Sequence, residues 1–117
     1  MPTDDVETVD EAAATWLAAA DAGDAHASWD TAGAAFRHAI TPDDWGTKLR
    51  EVRGPLGAVT SRTLAVEQRL DGIPGAPPGE YDVRQYHSVY GGVRAMVETL
   101  TLLHEDGAWR VVGYFIR

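Results

Sequence analysis

The apolar residues of this chain change period once, at Gly57, and that change constrains the fold more than any other feature. Before Gly57 they recur at helical spacing, and after it they alternate as in half-buried strands. Helices come first and strands second, without interleaving. The expected class is therefore α+β, with helices packed on one face of a curved four-stranded antiparallel sheet.

Three helices are expected. Val9, Ala12, Ala13, Trp16, Leu17 and Ala20 form one stripe, preceded by the capping-box pair Thr8 and Glu11, which predicts a helix from about Thr8 to Ala22, stopped by Gly23. Ala25, Trp29, Ala32, Phe36, Ala39 and Ile40 predict a second, continuous helix capped by Asp24. Thr41, Pro42, Asp43 and Asp44 sign the start of a third, with Trp45, Leu49 and Val52 on its buried side. Strand-like runs follow at Ala58–Leu70, Tyr81–Tyr90, Val93–His104 and Trp109–Ile116. Asp106-Gly107 is a tight hairpin signal, Gly91-Gly92 a turn or bulge, and Asp71 to Glu80 a longer loop.

With 117 residues and 44% apolar content, residues 1–117 suit one domain. The absence of cysteine removes disulfides and thiolate chemistry. A net charge of −8 argues against nucleic acid as a partner. No apolar run approaches membrane-spanning length, so no membrane partner is expected. Met1 to Asp5 is acidic where a secretory signal would be basic and then apolar. The chain as written reads as cytoplasmic; it would be exported, to the periplasm or cell surface, had a signal sequence been removed.

A series of short motifs runs in order along nearly the whole chain. They are Trp16-Leu17, Asp21 to Gly23, Ser28-Trp29, Trp45, the R-x-P-L-G of Arg53 to Gly57, and Arg62. Pro78 to Tyr81, Val97 to Leu102 and the D-G-A-W-R-V-V-G-Y of Asp106 to Tyr114 complete the series. Together they resemble the bacterial domain-of-unknown-function family 4019. The resemblance implies a cone-shaped fold of the cystatin or nuclear transport factor 2 type, and it implies no agreed activity. Members often carry an export signal. Such a cone leaves a hollow between the first helix and the sheet, the default place for a small-molecule ligand.

The stretch from Lys48 to Arg62 holds four of the ten basic residues. Arg53 and Arg62 flank the turn from the third helix to the first strand, where a cation suits the negative end of the helix dipole. Arg62 shares strand parity with Leu64, Val66 and Leu70, while Glu98 lies in the apolar stripe Met96, Leu100, Leu102. A lone carboxylate there would cost several kcal/mol, so Glu98 is expected to pair with Arg62 or Arg53. An anion site built from Arg50, Arg53 and Arg62 is the competing reading.

Catalytic patterns are sparse. His26, His38, His87 and His104 have no metal-ligand spacing, no nucleophile motif or phosphate loop is present, and no cofactor is implied. One enzyme reading remains, an isomerase or lyase using Asp21 or Glu98 as base with Tyr86, Tyr90 or Tyr114 as hydrogen-bond donor. The preferred reading is a non-catalytic ligand-binding or interaction module, with Arg53, Arg62, Glu98 and Trp16 as binding candidates. A homodimer through the outer sheet face is expected, where Val83, Gln85, His87 and Val89 lie beside Val97, Thr99, Thr101 and Leu103.

Overall fold

The computed structural model describes residues 7–117, so the acidic run Met1 to Asp5 lies outside it. Four α-helices precede four strands: α1 Val9–Asp21, α2 Ala25–Asp30, α3 Ala34–Ala39, α4 Pro42–Arg53, then β1 Val59–Leu70, β2 Tyr81–Tyr90, β3 Arg94–Glu105 and β4 Ala108–Ile116. The strands form one open antiparallel sheet in the order β1-β2-β3-β4. The helices sit on one face of it, which makes the class α+β. Among the described residues no helix is long and apolar enough to cross a membrane.

Helix α1 follows from its own residues. Thr8 accepts the Glu11 N–H at 3.1 Å while the Glu11 side chain accepts the Thr8 N–H at 2.8 Å, and Val9, Ala12, Ala13, Trp16, Leu17 and Ala20 are all buried. Thr41 caps α4 in the same way, through the Asp44 N–H. Trp45 and Leu49 are buried as expected, but Val52 is not: it is 37% exposed. Val52 instead lines a hollow against the end of β4.

The expected second helix is two. It breaks after Thr31 because Gly33, in extended conformation, gives its N–H to the Val111 carbonyl of β4 at 2.7 Å. A Cβ at Gly33 would sit 2.7 Å from Val112 Cγ1 and 2.9 Å from Glu105 Oε1, so the close approach needs glycine. Glu105 then accepts the Ala34 N–H at 3.0 Å and starts α3.

The parity of β1 is also corrected. A bulge between Leu64 and Val66 shifts the register against β2, so Val66 and Leu70 turn to the outer face and Glu67 and Arg69 turn inward. Val66, on the outer face, is 50% exposed; Leu64 keeps Arg62's parity yet is 43% exposed, because this edge strand has little helix packed against it. Val93, expected to begin β3, lies in the preceding turn, where Gly91 and Gly92 supply positive φ. Asp106 and Gly107, with φ of 52° and 79°, close the last hairpin as the primed turn their pairing predicts.

Helix α1 lies across β3 and β4. The core joins its apolar stripe to Phe36, Trp45, Leu49, Tyr86, Leu100, Leu102 and Val111.

Candidate functional site

Glu98 is fully buried on β3 and faces the helices. Five hydrogen bonds converge on it. Arg62 donates through Nε at 2.7 Å and Nη2 at 3.1 Å, Tyr90 through its hydroxyl at 2.7 Å, Tyr114 at 2.5 Å, and Ser88 through Oγ. Ser88 and Tyr90 are delivered by the inward parity of β2, Tyr114 by β4 and Arg62 by β1. The pairing of Glu98 with Arg62 is present.

The other end of Arg62 grips the last residue of α1: Nη1 and Nη2 reach Asp21 Oδ2 and Oδ1 at 2.8 and 2.9 Å. A carboxylate at a helix C-terminus faces the negative end of the dipole, so Asp21 needs cations. Arg53, at the end of α4, supplies the second through Nη2 at 2.5 Å, with its guanidinium 4.9 Å above the Tyr90 ring. Arg53 Nη1 meets the Tyr114 hydroxyl at 3.3 Å, and its Nε is buried without a partner among the described residues. Two arginines and two carboxylates thus lock α1, α4 and the sheet into one seam.

Electrostatics follow from this packing. Burial alone would push Glu98 up, but the hydrogen bonds from Arg62, Ser88, Tyr114 and Tyr90 outweigh it and hold the carboxyl at about 2. Asp21 is likewise lowered, its burial outweighed by Arg62 and Arg53. Burial and the neighbouring Glu98 carboxylate push Tyr90 up to about 12 and Tyr114 further up. A general base needs a proton affinity near the working pH and a free lone pair, and Glu98 offers neither. The hydroxyls of Tyr90 and Tyr114 already donate to it. Tyr86 is buried in the core, and its hydroxyl is not among the Glu98 donors.

Trp16 packs against this seam without bonding to it. It is 3% exposed, packs 5.2 Å from Tyr114 and 5.9 Å from Trp45 by ring centroids, and donates Nε1 to the Ser28 carbonyl at 2.8 Å. Ser28, part of the Ser28-Trp29 motif but given no role by it, also accepts the Trp45 Nε1 proton on its hydroxyl at 2.8 Å. Arg50 is exposed and lines the hollow beside Asp21 and Arg53, but it makes no hydrogen bond or ion pair with the seam among the described residues and does not meet Arg62.

A second ionic cluster was not anticipated. Asp82 and Arg84 on β2 are 0% and 2% exposed. Arg84 donates to Asp82 at 2.7 Å, Glu67 at 2.7 Å and Asp10 at 3.0 Å; Arg69 reaches Asp82 at 3.4 Å and Glu80 at 3.2 Å while lying 4.7 Å over the Trp109 ring. Burial would raise Asp82, but Arg84 leads the contacts that lower it; Glu67 is raised through its contact with Asp82. The available signal was that Asp82 and Arg84 share strand parity with Tyr86, Ser88 and Tyr90.

Hollows flank the core rather than open it. One of about 410 Å³ lies between α1 and β4, rimmed by Thr15 and Trp109, and one of about 500 Å³ lies beside Asp21 and Arg53.

Fold and site define a small α+β domain whose interior charges are spent on one another. The chain belongs to the family described as "Protein of unknown function (DUF4019)", which matches residues 12–114. No curated protein and no solved structure matches it.

Proposed function

We propose that this chain is a non-catalytic interaction module that pairs with a second copy of itself through the outer face of the sheet. The observation that carries the non-catalytic part is the saturation of Glu98: the one carboxylate buried among tyrosines is ionised, fully bonded and closed from solvent. The reading takes the fold as a cystatin-like or nuclear transport factor 2-like cone, which the course of α1 across β3 and β4 supports.

Charge placement supports the dimer. The four strands carry four carboxylates: Glu67, Asp82 and Glu98 point inward, and Glu105 is bonded to the Ala34 N–H. On a protein of net charge −8, the outer sheet face is thus a surface on which two copies can meet without opposing acids. Val83, Gln85, Val89, Val97 and Thr101 there are only half-buried, and Phe115 is 54% exposed. Such a mixture of apolar and neutral polar groups suits a separable interface.

Sedimentation over a concentration series tests the reading. A reversible dimer is expected, dissociated by Thr101→Glu, which sets like charges against each other across the two-fold axis. A chain that stays monomeric at the highest soluble concentration overturns it. A small molecule would have to use one of the flanking hollows, and a thermal-shift screen would reveal it as a raised Tm.

A further inference from the structure

The free edge of β4 and the flank of α4 frame a groove that shares Tyr114 with the seam and Phe115 with the outer sheet face but is distinct from both. β4 is an outermost strand. Val97 and Arg117 exchange both backbone hydrogen bonds, at 2.8 and 3.0 Å. In an antiparallel ladder such pairs alternate with pairs that make none. Glu98 with Ile116 and Leu100 with Tyr114 are therefore the non-bonded pairs, and the N–H and C=O groups of Ile116 and Tyr114 point away from β3 toward the edge. Among the described residues, the backbone contact on that edge is Gly33 to Val111, further up the strand, and none reaches Tyr114 or Ile116.

Beside this open stretch lies an apolar hollow of about 220 Å³, walled by Trp45, Leu49 and Val52 on one side and Tyr114, Phe115 and Ile116 on the other. It is large enough for one branched or aromatic side chain. Lys48, the one lysine of the chain, stands on its rim. Among the described residues Lys48 makes no ion pair, although Asp44 and Glu51 lie about a turn away on the same helix. A row of unused backbone donors and acceptors, one apolar socket and one unpaired cation are three parts of a single recognition surface.

We propose that this groove takes an extended peptide of a partner protein, added as a further strand on the β4 edge, with an apolar side chain in the hollow and an acidic side chain against Lys48. Main-chain bonds to Tyr114 and Ile116 supply affinity that any extended segment can use. The hollow and Lys48 supply selectivity, because they accept one side chain by shape and another by charge.

The test uses the full chain and a phage-displayed library of random peptides. Enriched peptides are expected to combine an apolar and an acidic residue, to shift amide resonances in residues 112–117 and α4, and to slow hydrogen exchange at the Tyr114 and Ile116 amides. Lys48→Glu should weaken such a peptide about tenfold or more by fluorescence polarisation, and Lys48→Arg should restore most of the loss. Ile116→Pro removes an N–H that the ladder does not use, which an edge strand tolerates; it should abolish binding while the far-UV spectrum is kept. The proposal is overturned if no peptide is enriched, if the shifts fall on the β1 edge or the outer sheet face, or if binding is indifferent to both Lys48→Glu and Ile116→Pro. Pairing of this edge with a second copy of the chain would overturn it too.

Discussion

The inner face of the sheet carries two ionic clusters made of the same residue types, and they differ in balance and in access to water. Around Glu98 two arginines meet two carboxylates, and Ser88, Tyr90 and Tyr114 fill the remaining bonds. Around Asp82 two arginines meet four carboxylates, Asp10, Glu67, Glu80 and Asp82. Its side chains reach solvent: Glu67 is 37% exposed, Arg69 45% and Asp10 75%. The first cluster is closed by the core around Glu98 and reaches water mainly at Asp21, whose side chain is 24% exposed, so it is weakly screened; the second is a buried pair with a wet periphery. Ionic chemistry on one sheet thus performs two tasks. One cluster fastens helices to the sheet, and the other holds the projecting end of β1 against β2.

The most damaging change should be Glu98→Gln, which leaves Arg62 facing a neutral amide in the core. A loss on the order of 3–5 kcal/mol is expected in urea unfolding. A loss as small as that of a surface substitution would erase the distinction between the clusters. Acid should reproduce much of this effect. The folded carboxyl, at about 2 against an ordinary 4.5, contributes stability that is complete above pH 4.5 and lost as pH falls toward 2, roughly 3 kcal/mol in all. Thermal melts over that range should be steep for the native chain and flatter for Glu98→Gln. At the alkaline limit the sign reverses: Tyr90, held at about 12 against an ordinary 10, contributes stability below pH 10 that is lost as pH rises toward 12.

Arg84→Met should cost less, about 2–3 kcal/mol, because Arg69 still faces Asp82 at 3.4 Å and Asp10 and Glu67 can turn to water. A larger loss than at Glu98 would invert the comparison. Smallest of all, Glu80→Gln should change stability by about 0.5 kcal/mol or less, a difference that high salt removes. Persistence of that difference in high salt would show the outer cluster to be drier than its exposure implies.

Much of this arrangement could be read from the residues themselves. The capping box at Thr8, the stripe through Trp16 and Leu17, the paired signals at Asp106-Gly107 and the need of Glu98 for an arginine are local facts, and each has its counterpart in the structure. The bulge after Leu64 left no such mark. Ala65 is an ordinary strand residue, and only pairing with β2 reveals that it is skipped, so simple alternation gives Val66 and Leu70 the parity of Arg62 although they face outward. The break at Gly33 is imposed by β4, far away in the chain, on residues that could otherwise continue a helix. Asp82 and Arg84 sat visibly on a buried stripe, but their partners on β1 and α1 are set by that register and by tertiary packing.

The contact at Gly33 has a further consequence, for the order in which the molecule matures. Ala34 and Glu105 are 71 residues apart in sequence, and Val111 lies beyond both. During synthesis the amino-terminal helices emerge well before the strand that separates α2 from α3. Until that strand arrives, Gly33 lacks its acceptor and Ala34 its cap, so the helical layer must remain provisional. Loss of the last hairpin should therefore unsettle residues at the opposite end of the polypeptide.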